Sequence, residues 1–185
     1  MAGEKIPSTR PGYQVEITRE PIGIIGIISP WNFPIAIPAW KAAPALMCGN
    51  AVILKPASLT PASAIALTEI IAKQDLPAGL FNLIIGSGSG IGNQIATSPE
   101  IPAITFTGSV EVGKSLYADA SPLLKKMQME MGSKNPLVVL DDADLPTAIN
   151  CAANGAYGGT GQKCTASSRI IVQEGIYKKF IEGLT

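Results

Sequence analysis

The sequence predicts an α/β protein in which a doubly wound, mostly parallel sheet of the Rossmann type is followed by the start of a second α/β domain. Three observations support this fold class. Short apolar runs rich in β-branched residues recur along the first part of the chain, helical patterns separate them, and strand and helix alternate again after Gly132. Such runs are typical of strands that are buried on both faces of a parallel sheet.

Five runs predict the strands of the sheet. They are IGIIGII, AVILK, FNLII, AITFT and KKMQMEM, at residues 22–28, 51–55, 81–85, 103–107 and 125–131. The preceding segment YQVEITR (13–19) alternates polar and apolar residues, which predicts a strand with one solvated face, outside the sheet. The stretch 22–40 is long and apolar enough for a membrane span. However, Pro30, Pro34 and Pro38 would break such a helix, so we expect a buried strand followed by a turn.

Helices are predicted between the strands and after them. They cover residues 39–48, 60–73, 91–97 and 109–120 in the first part of the chain, and 146–157 and 176 onward in the second. Thr60 is the expected N-cap of the second helix and Ser109 of the fourth, since both hydroxyls precede helical patterns. Beyond Gly132, the runs PLVVL (136–140) and RIIV (169–172) predict two further strands.

Composition excludes several classes of protein. The chain has 14 basic and 14 acidic residues, so it offers no excess of positive charge to a nucleic acid or an anionic membrane. It has no histidine, which excludes a Ser-His-Asp triad or a Cys-His pair within this chain, and no CxxC motif, which argues against a zinc site. Three cysteines form no disulfide framework, and the polar N-terminus is no signal peptide, so we expect a cytoplasmic location.

One cysteine stands out. Cys164 lies in GGTGQKCTASSR, where its neighbours are small and polar, whereas a structural cysteine usually lies among apolar residues. We therefore expect Cys164 to be the exposed and reactive thiol. Cys48 and Cys151 match no motif and are expected in the core.

Two further residues are candidates for chemistry. Glu130 lies between methionines at a predicted strand end, where burial would raise its pKa and make it a general base. Asn32 lies in SPWNFP, where two prolines would hold its amide as a fixed hydrogen-bond donor. A buried turn asparagine explains this motif equally well.

Three segments are candidates for phosphate or ribose binding. GSGSGIG (86–92) lacks the G-x-G-x-x-G spacing, and is either a flexible turn or a departure from the usual phosphate loop. In FTGSVEVG, Ser109 opens a helix whose free N–H groups would bind a pyrophosphate. In LKPAS, Lys55 ends a buried strand, where it would reach a ribose or phosphate or simply extend to water.

Taken together, PWNFP, KPAS, FTGS, MEMGSKNP and GQKCTASSR resemble the aldehyde dehydrogenase superfamily in order and spacing. The resemblance implies that Cys164 is the catalytic thiol, Glu130 the general base and Asn32 an oxyanion donor, with NADP or NAD as cofactor and no metal. It also assigns a set of residues to the cofactor. These are Trp31, Asn32, Lys55, Pro56, Ala57, Ser58, Gly88, Phe106, Gly108, Ser109 and Met131.

The motifs most resemble the branch that oxidises 2,5-dioxopentanoate (α-ketoglutaric semialdehyde), with succinate semialdehyde dehydrogenases as near neighbours. The resemblance implies an oligomerisation-arm strand in 1–20, a cofactor domain in 21–132 and the truncated first part of a catalytic domain in 133–185. The chain is thus expected to be an internal fragment of a homodimeric or homotetrameric parent. The alternatives are a nucleotide-binding fragment without catalytic activity and a scaffold protein that binds no ligand.

Two positions depart from the family pattern. Many NAD-preferring members carry a carboxylate where this chain has Ser58, and a serine does not repel a 2′-phosphate. The usual double glycine after the acid is Gly132-Ser133 here, which introduces a side chain at a tight position.

Overall fold

The computed structural model describes residues 3–185, which form two compact units, one ending at Glu130 and the other comprising Met131–Thr185. The first unit begins with an antiparallel hairpin of β1 (Glu4–Pro7) and β2 (Gln14–Ile17). The hairpin is separate from the larger sheet, as expected for the segment before residue 21. All eight strand residues are exposed, so the prediction of a single solvated face was wrong.

The five predicted strands of the first unit form one sheet. They are β3 (Ile24–Ile28), β4 (Ala51–Lys55), β5 (Phe81–Leu83), β6 (Ala103–Gly108) and β7 (Lys126–Met131). Their order is β5-β4-β3-β6-β7, and the pairs β3–β4, β3–β6 and β4–β5 are parallel. This is the doubly wound order, which reverses between β3 and β6 and confirms the predicted fold class.

Helices cover the sheet between these strands. They are α1 (Ala36–Met47), α2 (Pro61–Ala72), α3 (Asn93–Thr97) and α4 (Val110–Ala120), with a π-helical turn at Gly88–Gly92 before α3. One core combines Ile27, Leu54, Ala42 of α1 and Ala64 of α2. Gly26 lies between two residues of that core and would direct a Cβ at Ile95 of α3 instead.

The predicted caps differ in chemistry. The Ser109 side chain accepts a hydrogen bond from the Val112 N–H at 3.3 Å, as expected of an N-cap. Thr60 occupies the N-cap position of α2, but its buried hydroxyl makes no hydrogen bond. The first turn of α2 is therefore favoured by Pro61, whose fixed φ suits that position.

The second unit is a smaller α/β assembly. It consists of the parallel strands β8 (Pro136–Val139) and β9 (Arg169–Val172) with the helices α5 (Leu145–Tyr157) and α6 (Glu174–Leu184). Val139, Ala152, Ile176 and Phe180 form its buried core. These elements match the predicted restart of strand and helix after Gly132.

No helix within residues 3–185 is long and apolar enough to cross a membrane. The apolar stretch 22–40 contains β3 and the beginning of α1 instead, and Pro38 lies in the first turn of that helix. A proline is tolerated there because the first N–H groups of a helix have no intrahelical partner. Over the same described residues, no cluster of metal-ligating side chains is found.

Candidate active site

Cys164 lies on a loop between α5 and β9. Three residues before it have the left-handed backbone conformation. Gly159, Thr160 and Gly161 have φ values of 63°, 57° and 69°. Glycine adopts this conformation without strain, and at Gly161 an added Cβ would also lie 2.9 Å from the Ala156 carbonyl oxygen. The glycines before the thiol are thus required by the path of the chain.

The loop is fastened to α5 on one side and to the start of β8 on the other. On the α5 side, the Ser167 N–H donates to the Gly155 carbonyl at 2.9 Å. On the β8 side, the Asn135 amide donates to the carbonyl of Cys164 at 2.6 Å and to that of Ala166 at 3.1 Å. The segment around the thiol is therefore held by fixed partners.

The exposure of the three thiols differs from the prediction. Cys164 is half-buried, Cys48 is half-buried and Cys151 is exposed. Cys151 was expected in the core, but the core-facing side of α5 carries Ala148 and Ala152, and Cys151 lies beside it. The position of Cys151 around the helix axis decides its exposure.

Glu130 was expected to be buried, and that expectation was wrong. Its strand β7 is the edge strand next to β6, and along it exposed residues alternate with half-buried ones. Glu130 is among the exposed residues, as is Gln128 two positions earlier on the same face. Side chains of a strand alternate between the two faces of the sheet, and Glu130 lies on the face of β7 that is open to solvent.

Lys41 of α1 is a candidate functional residue that was not predicted from the sequence. Its Nζ donates to the Thr105 hydroxyl at 2.6 Å and to the Gln128 side-chain oxygen at 2.7 Å. Burial lowers the pKa of Lys41 to about 8, while the nearby Glu130 carboxylate acts in the opposite direction. The available sequence signal was a single charge within the apolar helix AIPAWKAAPALM.

Strand register gathers the predicted cofactor residues of the first unit. Ile28, the last residue of β3, pairs with Lys55 of β4 and with Phe106 of β6. The segments after these three strands therefore begin at the same end of the sheet, where the carboxyl ends of the strands lie and where the strand order reverses. In doubly wound sheets, ligands bind at this end. Trp31 and Asn32 follow β3, Ser58 follows β4, and Gly108 and Ser109 end β6 and open α4.

The segment after β3 is partly open. Trp31 is 42% exposed and Asn32 is half-buried. Ser29 joins the two strand ends, because its N–H donates to the Lys55 carbonyl at 3.1 Å, and its own buried hydroxyl has no hydrogen-bond partner. The turn is thus anchored to β4 while the indole faces solvent.

The segment after β4 places its two polar residues differently. Lys55 is 4% exposed, and its Nζ donates to the Pro56 carbonyl at 2.9 Å rather than reaching water. Burial lowers its pKa. Ser58 is exposed, and its hydroxyl donates weakly to the Gly86 carbonyl at 3.4 Å. Pro56 is buried and Ala57 is half-buried between them.

At the end of β6, Gly108 leaves no room for a side chain. An added Cβ would lie 2.5 Å from Cζ of the buried Phe106. The chain then enters α4 at Ser109, and the free N–H groups of the first turn form a site of positive potential. Met131, the last predicted cofactor residue, ends β7 and is half-buried.

A cleft of about 400 Å³ lies between the turn GSGSGIG and α4. It is lined by Gly88, Ser89, Gly92, Asn93, Val112, Ser115, Leu116 and Asp119. An added Cβ at Gly88 or Gly92 would meet no atom within 4 Å, so these glycines border empty space. The segment forms a π-helical turn, which Ser87 stabilises by accepting from the Gly90 N–H at 3.0 Å.

A sequence model of the aldehyde dehydrogenase family matches residues 1–185. The chain belongs to the aldehyde dehydrogenase family. Among its relatives, the α-ketoglutaric semialdehyde dehydrogenase of Bacillus subtilis is 49% identical over 98% of this chain. The 2,5-dioxopentanoate dehydrogenase of Saccharolobus solfataricus is 42% identical over 100% of it. The chain spans 37% and 39% of the length of these two relatives.

Solved structures of similar proteins share the fold. The betaine aldehyde dehydrogenase of Staphylococcus aureus in complex with NAD+ has a TM-score of 0.96 and 39% identity, and the match covers 98% of this chain and 36% of that one. An NADP-dependent enzyme of Escherichia coli has a TM-score of 0.96 and 39% identity, covering 99% and 38%. The recognition made from the motifs is thus confirmed at the level of the family.

Proposed function

We propose that the whole protein to which this segment belongs oxidises a semialdehyde to a carboxylic acid with NADP+ or NAD+. The observation that carries this proposal is the register of β3, β4 and β6, which brings the motifs PWNFP, KPAS and FTGS to one edge of the sheet in an aldehyde dehydrogenase chain. The cysteine loop GQKCTASSR supplies the nucleophile.

Cys164, Asn32 and Glu130 each have a separate role in the proposed reaction. The Cys164 thiolate attacks the aldehyde carbon and forms a thiohemiacetal. The Asn32 amide and the Cys164 N–H stabilise the negative charge that develops on the aldehyde oxygen. A dinucleotide held at Ser58, Gly108 and Ser109 would supply the acceptor for the hydride, and the acyl group would then remain on the sulfur as a thioester. Glu130 then takes a proton from water, whose oxygen attacks the thioester, and the acid and the free thiolate are released.

The residues of the first unit fit a dinucleotide. The cleft beside Gly88 and Gly92 has the volume of a small-molecule site and is bordered by glycines, which suits a flat base. The N-terminus of α4, opened by Gly108 and Ser109, suits a pyrophosphate. The exposed hydroxyl of Ser58 suits a ribose, and with no charge of its own it accommodates NADP+ as well as NAD+.

The names of the relatives favour 2,5-dioxopentanoate as the substrate within the semialdehyde class. We also propose that the hairpin β1–β2 is an oligomerisation arm of a homodimer or homotetramer, because its strands lie apart from the sheet and are exposed. The three free thiols favour a reducing, cytoplasmic location.

Cofactor binding is testable on the 185-residue chain by tryptophan fluorescence. NADP+ should produce a saturable change in the wild type and in Trp40→Phe, but not in Trp31→Phe, because Trp31 lies in the turn directly after β3 whereas Trp40 lies in α1. The Trp40 variant is the matched control, since both substitutions remove one exposed indole. If neither NADP+ nor NAD+ changes the fluorescence of the wild-type chain, that result would contradict the proposed dinucleotide site.

Oxidation is tested in the whole protein. 2,5-Dioxopentanoate with NADP+ should generate the reduced cofactor, Cys164→Ala should abolish its formation, and Cys151→Ala should leave it unchanged. Turnover that survives in Cys164→Ala would contradict the assigned nucleophile. The coverage of only 37–39% of the relatives favours a second candidate for the isolated chain, a nucleotide-binding segment without activity. Binding of NADP+ by the chain without turnover would support it.

A further inference from the structure

We infer that Asn135 is a positioning residue for Cys164, whose side-chain amide fixes the direction of the thiol by holding the carbonyl group of the same residue. The inference rests on the proposed role of Cys164 as the nucleophile, and adds a residue that neither the motifs nor the proposed mechanism assigned. All of the contacts that carry it lie within the second unit, between the start of β8 and the cysteine loop.

Both hydrogens of the Asn135 side-chain nitrogen are used on the loop. One is donated to the Cys164 carbonyl at 2.6 Å and the other to the Ala166 carbonyl at 3.1 Å. A carboxamide is the short, uncharged side chain that offers two hydrogens from one nitrogen. Serine would offer one hydrogen, and an ionised aspartate would offer none and face two carbonyl oxygens.

The main chain of Asn135 holds the other end of the same loop. Its carbonyl accepts hydrogen bonds from the Ser168 N–H at 3.0 Å and from the Arg169 N–H at 3.3 Å. The Arg169 guanidinium donates to the Lys134 carbonyl through Nε at 3.2 Å and Nη2 at 2.9 Å. One short segment before β8 therefore fixes the loop from Cys164 to the first residue of β9.

The bond to the Cys164 carbonyl has a direct consequence for the thiol. A fixed carbonyl fixes the peptide plane after Cys164, and that plane together with the preceding one sets the direction of the Cα–Cβ bond. The sulfur is one rotatable bond further on, so a fixed Cα–Cβ direction restricts it to the staggered positions about that bond. An error of about 1 Å in the position of a reacting group costs on the order of a hundredfold in rate. The hydrogen bonds from Asn135 therefore affect how well the nucleophile is placed.

The first test measures alkylation of the 185-residue chain by iodoacetamide, with each thiol followed by peptide mass spectrometry. In Asn135→Asp the loop loses both amide hydrogens, and the half-buried Cys164 should react about fivefold faster or more as the loop opens. The rate of Cys48, half-buried in the first unit, should not change. Asn135→Gln retains the carboxamide and should lie between the wild type and Asn135→Asp.

A second variant tests whether the effect of Asn135→Asp on Cys164 is only a consequence of lower stability. Val139→Ala removes buried methyl groups from the core of the second unit without touching the loop, so it should lower the thermal midpoint and leave the Cys164 rate unchanged. An equal rise in Val139→Ala and Asn135→Asp would overturn the inference. If Asn135→Asp does not fold, the comparison of Asn135→Gln with Val139→Ala decides the same question.

The second test uses the whole protein. Asn135→Asp should lower kcat on the order of a hundredfold with little change in KM, because the aldehyde still binds and only its attack is misaligned. A kcat equal to that of the wild type would refute the positioning role while leaving the proposed function intact. Conversely, a whole protein that oxidises no semialdehyde would refute the proposed function, and the alkylation result would still stand.

Discussion

At the scale of single residues, Lys41 is a group whose charge is altered by the fold. Its Nζ is held by Thr105 and Gln128, and burial lowers its pKa to about 8. A lysine with this pKa loses its charge close to physiological pH, whereas an ordinary lysine remains charged. The Glu130 carboxylate limits the shift by favouring the ammonium form.

Removing that carboxylate should lower the pKa of Lys41 further. In Glu130→Gln we expect a titration midpoint below that of the wild type, because the favourable charge is lost and the burial remains. The measurement is NMR titration of chains carrying lysine labelled at Cε, with Lys41→Arg identifying the resonance. Glu111→Gln, an exposed acid on α4, is the control and should leave the midpoint in place. A midpoint unaffected by Glu130→Gln would show that the two groups do not interact.

The same pKa determines the pH dependence of stability. Between pH 8 and 10.5 the unfolded chain keeps the Lys41 proton while the folded chain has released it, so the free energy of unfolding rises with pH across this window. Lys55 and Lys125, whose pKa values burial also lowers, contribute with the same sign. In Lys41→Met the rise should be smaller, as measured by urea unfolding at several pH values. An identical rise in both chains would exclude Lys41 as a source.

Ser58 provides a prediction about cofactor preference. Ser58→Glu places a carboxylate where the ribose 2′-phosphate is proposed to bind, so the affinity for NADP+ should fall more than that for NAD+. Ser58→Gln has nearly the same size without the charge and should change the ratio much less. The ratio of the two dissociation constants, measured by fluorescence titration, decides the result. An unchanged ratio in Ser58→Glu would show that this position does not face the ribose.

At the scale of elements, the close approach of α3 to the sheet depends on Gly26 in β3. An added Cβ there would lie 2.5 Å from Cγ2 of Ile95 and 3.3 Å from Cγ2 of Ile101. Gly26→Ala should therefore destabilise the chain by about 1–3 kcal/mol through overpacking, as measured by urea unfolding. Combining it with Ile95→Ala should recover part of the overpacking cost relative to the sum of the single variants. Gly132→Ala, which meets no atom within 4 Å, is the matched control.

At the scale of the whole molecule, the 185-residue chain leaves large apolar side chains uncovered. Trp40 is 69% exposed, Met47 87% and Leu124 91%. Large exposed apolar surfaces promote association, and reacting groups that are held loosely lose rate steeply. We expect the isolated chain to associate in sedimentation experiments and to oxidise 2,5-dioxopentanoate at less than about a hundredth of the rate of the whole protein. Comparable rates for the two would contradict this expectation.

The elements that the sequence determined by itself are those with a strong local pattern. The predicted bounds 51–55 and 169–172 coincide with β4 and β9, because continuous β-branched runs favour strands whatever their neighbours. The motif residues Asn32, Ser58, Ser109 and Cys164 were likewise recognisable from their order along the chain. Their identity is a property of the linear sequence.

Tertiary structure decided which of these residues are covered and which long-range partners meet. Glu130 lies on the face of β7 whose side chains are exposed, and which face of a strand is covered cannot be derived from the alternation of residues within that strand. Lys41 meets Thr105 and Gln128, which lie 64 and 87 residues further along the chain. Asn135 holds Cys164 across 29 residues. Such contacts depend on how strands are ordered and loops are folded, and no local pattern of residues encodes that arrangement.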